Sequence, residues 1–338
     1  LKDYGPVEMV LAAENPFGYR NKVSFDVGRD RNGKIVLGVY AGKSGRLMGI
    51  KHCLINHPKI EEIAGKMRLL LDQYMIMPYD EKTKEGWLRK VTFRVTVAGD
   101  VMVILEASSQ IEQDISSFVS ALAETDLSVK SVLLELRGKE GRRQSVLWGD
   151  AFLVEKLMGQ QFKLKADSFF PLNPAMSEKV YETALSYASL TGNERVLDLP
   201  CGSGILAMEA SVHAGRVLAV DVFKEDMKEI TSRVKDAKNI RFINSTPDAY
   251  LEALARSHEH IDVLFFEMSR CRNIKACITA IGKLKPEKIV CISGSPENLG
   301  KDLKFLDQMG YQVQKSQVVD IMPFTENVEC VCLLTWNR

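Results

Sequence analysis

The sequence predicts two successive α/β-type domains: an α+β domain over residues 1–162 and a doubly wound domain over residues 163–338. Three observations carry this. A chain of 338 residues, 46% hydrophobic and 26% charged, is long enough for two cores and has the balance of a globular protein. Short strand patterns separated by glycine turns fill the first part, whereas strand and helix patterns alternate after Phe162. The stretch Arg195–Asp221 reads as a complete strand, glycine turn, helix, strand unit, which makes the second domain Rossmann-like.

In the first part, Val23–Val27, Ile35–Tyr40 and Arg46–Ile50 are short runs bounded by glycine turns, which predicts strands. A helix opens at Pro58, because proline is tolerated in a first turn, and runs to about Met77. Trp87–Ala98 and Val101–Ala107 alternate around Gly99 and Asp100, the pattern of a hairpin. Ser109 and Glu112 have capping-box spacing, and Ile111, Ile115, Phe118, Val119 and Leu122 give the helix that follows a buried face. A strand over Ser131–Leu136 then meets a basic cluster at 137–143. The sheet expected here is mainly antiparallel.

Beyond Phe162, Pro174 opens a helix to about Ala188. Strands follow at Val196–Leu199, Val217–Val220, Ile240–Ile243, Ile261–Phe266, Lys288–Ile292, Tyr311–Asp320 and Val328–Leu334, with helices between most of them. A doubly wound sheet takes its ligands at the carboxyl ends of its strands. Those ends are Asp198–Gly204, Asp221, Glu267–Cys271 and Ser293–Pro296.

Gly202 and Gly204 let the backbone turn sharply and approach a ligand, and Asp221 ends the next strand where an acidic residue grips ribose hydroxyls. A nucleoside-bearing cofactor is implied. Gly202 to Ala207 also satisfies the dinucleotide fingerprint in its alanine-ending form, and a tight strand–helix turn without a ligand is the plainer alternative. Asp198 favours S-adenosylmethionine, since a carboxylate there faces a cation and repels pyrophosphate.

The formal charge of +1 hides an asymmetry, with a basic first half and an acidic second. Residues 31–60 contain no Asp or Glu but hold Arg31, Lys34, Lys43, Arg46, Lys51 and Lys59 among glycines. With Arg142 and Arg143, Arg31, Lys34, Lys43 and Arg46 are the candidate RNA-binding residues, expected on one face. A solvated hairpin kept soluble by its lysines is the competing reading. Seven cysteines without CxxC spacing indicate neither a disulfide framework nor a metal site, and point to a reducing intracellular compartment, cytoplasmic or mitochondrial. No apolar stretch has the length of a membrane span, and Leu1 without a signal-peptide pattern suggests that a preceding piece is missing.

Four ordered motifs, Ala166–Asn173 (ADSFFPLN), Val196–Gly204 (VLDLPCGSG), Val290–Pro296 (VCISGSP) and Asp320–Glu329 (DIMPFTENVE), resemble the RNA uracil-5-methyltransferase family, particularly its ribosomal-RNA branch. Tyr19–Lys22 is similar to that family's opening segment of the central domain, and Lys51–Cys53 to its downstream cysteine. The resemblance implies a class I methyltransferase domain that uses S-adenosylmethionine, preceded by a central RNA-binding domain. It also implies that a cysteine attacks carbon 6 of uracil and that a glutamate later removes the carbon 5 proton. The cysteine position is Gly294; the glutamate position is Glu329. A glutamine, an Asp-Pro pair and a histidine of the family are replaced by Pro171, Glu267-Met268 and Phe324, while Arg270 and Asp302 match. Cys53 alone cannot hold an iron-sulfur cluster, so none is expected from this chain.

Without a nucleophile, carbon 5 of uracil is a poor partner for a sulfonium. Cys271 is the substitute to weigh, Cys291 being on the opposite strand face and Cys201 being structural. Two function classes follow. One is a catalytically inactive pseudoenzyme that binds structured RNA, rRNA or tRNA, as a scaffold or assembly factor on ribosomal particles, with Asp198, Gly202, Gly204, Asp221 and Glu267 forming a partly degraded donor pocket. The other is an active S-adenosylmethionine-dependent uridine methyltransferase.

Overall fold

The computed structural model describes residues 7–42, 45–108, 111, 113–138, 141–222, 231, 234 and 237–337. Two compact units emerge, one of residues 15–174 and one that joins residues 7–14 to 175–337.

The unit of residues 15–174 is built on a seven-stranded sheet of β1 (Lys22–Arg29), β2 (Ile35–Ala41), β3 (Arg46–Gly49), β4 (Leu88–Val95), β5 (Val101–Ala107), β6 (Val129–Gly138) and β7 (Gly141–Gly149). Their order is β3-β2-β1-β4-β5-β6-β7. Neighbours are antiparallel except β5 and β6, which run parallel because α2 (Ser116–Glu124) crosses over between them. One face carries Phe25, Val27, Phe93 and Leu105 against Ile60 and Met67 of α1 (Pro58–Gln73) and Phe118 and Leu122 of α2. Ser109 and Glu112 lie outside the described residues. The helix starts later, at Ser116, whose amide and hydroxyl both donate to Asp114 Oδ1.

The other face of this sheet carries a charged row beside the buried Met102, Ile104 and Leu133. Asp26, Lys90, Glu106 and Glu135 are successive cross-strand neighbours, and Lys90–Asp26, Arg137–Glu106 and Arg142–Glu135 ion pairs form along that row. Residues 165–172 lie on the same unit. Arg94 donates to the carbonyls of Lys165 and Ser168, and the Asn21 amide to that of Pro171. These bonds carry the unit past residue 162, the expected boundary. A two-stranded ribbon, β8 (Leu153–Leu157) and β9 (Gln160–Leu164), completes it.

The second unit contains α3 (Pro174–Ala188), β10 (Arg195–Leu199), α4 (Ile205–His213), β11 (Arg216–Asp221), β12 (Ile240–Asn244), α5 (Pro247–Arg256), β13 (Val263–Glu267), α6 (Ile274–Leu284), β14 (Lys288–Ser293), α7 (Pro296–Gln308), β15 (Tyr311–Val319) and β16 (Glu329–Trp336). Its sheet runs β12-β11-β10-β13-β14-β16-β15, parallel apart from β16, which is antiparallel to both neighbours. Strands buried on both faces explain the apolar runs Val196–Leu199, Val217–Val220 and Val263–Phe266. Residues 7–11 run beside β15, with Glu8 and Leu11 amides donating to Ser316 and Val318 carbonyls, so these residues belong here and not with the first domain. Among the described residues, no helix is long and apolar enough to cross a membrane.

Candidate functional site

The order reversal of the doubly wound sheet falls between β10 and β13, and the strand ends around it carry the candidate residues. Between β10 and α4, Gly202 and Gly204 hold φ of 59° and 79°, the left-handed region that glycine enters without penalty. Contact explains them equally. A Cβ on Gly204 would lie 2.5 Å from the Phe242 ring, and one on Gly202 would collide with Arg270 Nη1. Asp221, at the end of β11, accepts the Gly202 amide at 2.8 Å through Oδ2 and the Val222 amide at 2.7 Å through Oδ1. Asp198, Gly202, Gly204, Asp221 and Glu267 therefore meet at one set of strand ends.

Charge is concentrated there. Arg270, in the short 3-10 turn after β13, reaches Asp221 Oδ2 at 3.2 Å with Nη2 and Glu267 Oε2 at 3.4 Å with Nη1. Asp198 is 3% exposed and its Oδ2 has no hydrogen-bond partner. Burial, then the neighbouring Glu267 charge, push its carboxyl up to about 8, while Arg270 opposes the shift and Asp221 adds to it. Glu267 is also raised by burial, with Arg270 opposing. Burial alone would lower the Arg270 guanidinium, but Glu267 and Asp221 outweigh it and the group is raised. Tyr181 of α3 belongs to the cluster: burial and the Glu267 and Asp198 charges hold its phenol above the ordinary value. The helical pattern of α3 gave no reason to single it out.

Gly294 and Glu329 are neighbours. Ser293 of β14 pairs with Cys330 of β16, so the next residue out faces Glu329. A Cβ on Gly294 would lie 3.3 Å from Glu329 Oε1. Glu329 Oε2 is buried without a partner, and burial together with Glu267 pushes the carboxyl up to about 8. Cys271 lines a cavity of about 380 Å³ with Met268, Ile274, Ser293, Ser295 and Asp302. Its Sγ is 3.8 Å from Cys277 Sγ, and that hydrogen bond plus burial raise the Cys271 thiol far above its ordinary value. Cys291 is fully buried, with its thiol raised by burial. Phe324 is 71% exposed at a φ of 63°, an uncommon conformation for a side chain of its size.

The basic residues do not form the single patch expected from the sequence. Arg31 and Lys34 sit in the β1–β2 turn and Arg142 and Arg143 at the start of β7, so both groups lie at one end of the sheet. They are about four strand spacings apart, or roughly 19 Å. Arg46 begins β3 and is at the other end, because β2 lies between it and the turn. Arg142 is also committed to Glu135 at 3.3 Å. Lys43 lies outside the described residues.

A doubly wound sheet ending in an antiparallel strand pair, with a glycine turn and acidic strand ends at its switch point, defines a class I methyltransferase fold. Comparison narrows the class. The family model of tRNA (Uracil-5-)-methyltransferase matches residues 19–337, and the chain belongs to that family. An "Uncharacterized RNA methyltransferase" of Clostridium tetani is 30% identical over 338 residues, covering 98% of this chain and 73% of the relative. One of the same description from Caldanaerobacter subterraneus is 30% identical over 341 residues, covering 98% and 75%. Among solved structures, the Pyrococcus abyssi tRNA (uracil-54, C5)-methyltransferase in complex with S-adenosyl-L-homocysteine superposes with a TM-score of 0.76 at 19% identity, covering 96% of this chain and 78% of that one. At that identity the likeness concerns the fold.

Proposed function

We propose that this chain binds structured RNA, rRNA or tRNA, together with an adenosyl ligand, and does not methylate uracil carbon 5. It acts as a binding or assembly factor. The observation that carries this is the pairing of Gly294 with Glu329. The base position and the nucleophile position adjoin, 3.3 Å from carboxyl oxygen to a Cβ on Gly294, and the second has no side chain. Without addition at carbon 6, carbon 5 has no enolate character, and the proton it carries is vinylic and not acidic. Glu329, pushed up to about 8, is also mainly protonated at neutral pH, the wrong state for a base.

S-adenosylmethionine fits the residues present. Gly202 and Gly204 hold the turn in the left-handed region beside the strand-end carboxyls, and the buried Asp198 Oδ2 lacks a partner. Gly202, Gly204, Asp221 and Glu267 would hold the ligand, whose chemistry when bound is an electrophilic methyl group. Asp221 orients the turn through the Gly202 amide.

One observation supports an active uridine methyltransferase instead: Cys271 opens on the same cavity as Ser293 and Ser295, the residues on either side of Gly294. Against it, the thiol is held protonated by Cys277 and burial, and the thiolate is the attacking species. Incubation with 5-fluorouracil-substituted RNA and S-adenosylmethionine separates the two. No covalent protein–RNA band and no 5-methyluridine in unmodified RNA are expected. A trapped band would overturn the inactive reading, and its loss in C271S would assign the nucleophile.

A further inference from the structure

We propose that Phe324 is a stacking platform for an unpaired base of bound RNA. The inference rests on the RNA-binding reading above and adds to it a contact that does not depend on charge.

Phe324 lies in the connection between β15 and β16. Val319, the last residue of β15, pairs with Glu329, the first of β16, so residues 320–328 leave the sheet at the end where Glu329 adjoins Gly294. Ligands of a doubly wound sheet gather at this end. Within the connection, the Thr325 amide donates to the Met322 carbonyl at 3.1 Å, closing a four-residue turn with Pro323 and Phe324 at its centre. The Thr325 hydroxyl donates to the same carbonyl at 2.7 Å. The Asn327 amide and side chain both donate to that hydroxyl oxygen, at 3.1 and 3.0 Å. The turn is held from several directions.

Proline followed by a residue of positive φ is the pattern of a type II turn, whose third residue is ordinarily glycine or asparagine. Here that residue is phenylalanine, at a φ of 63°. It carries two costs at once, backbone strain and a large apolar ring that is 71% exposed. Folding alone favours glycine at this position. Strain that persists because neighbouring hydrogen bonds fix the backbone is a feature of ligand sites, and an exposed aromatic ring is what an unpaired base stacks on.

The rest of the connection narrows the contact. Its charged residues are Asp320 and Glu326, and its sequence has no Lys or Arg, so it offers a phosphate nothing to bind. The histidine that the family motif carries at this position and the phenylalanine found here share a flat ring, but phenylalanine has no ring nitrogen. The substitution keeps the capacity to stack and removes hydrogen bonding and proton transfer. That suits binding without chemistry, and stacking is tolerant of which base is held.

The test is binding of the full chain, by fluorescence anisotropy, to a stem–loop RNA with an unpaired loop and to a fully paired duplex. F324A should weaken stem–loop binding by roughly five- to one-hundred-fold, the range for losing one base–aromatic stack, with the slope against salt and the duplex affinity unchanged. F324Y should stay within about threefold of wild type, whereas F324L, apolar but not planar, should behave like F324A. F324G should lose the same affinity yet melt no lower than wild type, because glycine enters this φ freely, which keeps lost stacking apart from misfolding. On irradiation, 5-iodouridine placed in the loop should crosslink to the peptide that contains Phe324. If wild type binds neither RNA, the RNA-binding reading fails and the inference with it. If wild type binds the stem–loop and F324A or F324L binds it equally well, or the crosslink maps only to other peptides, that reading stands and the role given to Phe324 is wrong.

Discussion

Replacing Asp198 by asparagine (D198N) removes a titrating group and keeps its shape. In the folded protein the carboxyl is pushed up to about 8 from an ordinary 3.8. A carboxyl raised in the folded state contributes stability that is fully present below its unfolded value and is lost as pH rises through the folded one. Between pH 5.5 and 8 the unfolded chain has released this proton and the folded protein has not. About 2.5 pH units at about 1.4 kcal/mol each give a loss on the order of 3 kcal/mol. Asp198 is 3% exposed, so little of this is screened. The matching displacement for a unit of this size is roughly 6–12 °C. Thermal unfolding followed at both pH values should show wild type losing that much more than D198N as pH rises. Glu329, also raised to about 8, titrates in both proteins and largely cancels in the comparison. Equal pH dependence in the two proteins would refute the placement of a neutral carboxyl beneath the glycine turn.

Three further outcomes are expected. G204A forces a left-handed φ of 79° on a Cβ that meets Phe242 at 2.5 Å, and should lower stability by about 1–3 kcal/mol in a thermal melt; an unchanged melt would sink the packing argument. G294C should fold normally, since its Cβ has only to ease away from the end of Glu329 at 3.3 Å, yet form no 5-methyluridine because the Glu329 carboxyl beside it is pushed up to about 8 and so is mainly protonated at neutral pH; product detected by nucleoside mass spectrometry would contradict this. Replacing Arg31, Lys34 and Arg143 together with alanine should flatten the salt dependence of structured-RNA binding by about 2–3 in log–log slope, whereas R46A alone should change it by less than about 1; the reverse ranking would move the RNA to the other end of the sheet.

The doubly wound unit was legible because its strands are buried on both faces and its turn needs two glycines, both written in the local sequence. Legibility failed where polarity and burial part company. In β8 the apolar Val154 is exposed while Glu155 is 1% exposed, accepting amide hydrogens from Val97 and Lys156, so the apolar–polar alternation that marks a strand breaks at these two residues. β7 is an edge strand exposed along nearly its whole length, and without an apolar face it read as a basic cluster. Arg270 was visible only as a motif match. Its partner Asp221 lies 49 residues away, and nothing local to either residue announces the bond. The basic residues failed for the same reason in reverse, since closeness in sequence placed Arg46 with Lys34 although β2 separates them.

The strap of residues 7–11 along β15 has a consequence for synthesis. The Gln317 side chain that reaches the Met9 carbonyl is 308 residues downstream of it. At roughly 5–20 residues per second, this early segment waits about 15–60 seconds on the ribosome for the strand it must join. All of residues 15–174 can emerge and fold in that interval, enclosed in sequence between the two parts of the other unit. The sheet of that unit therefore closes its β15 edge only after residue 319 has been made, and a fragment starting at residue 175 would leave that edge open to pairing with other chains.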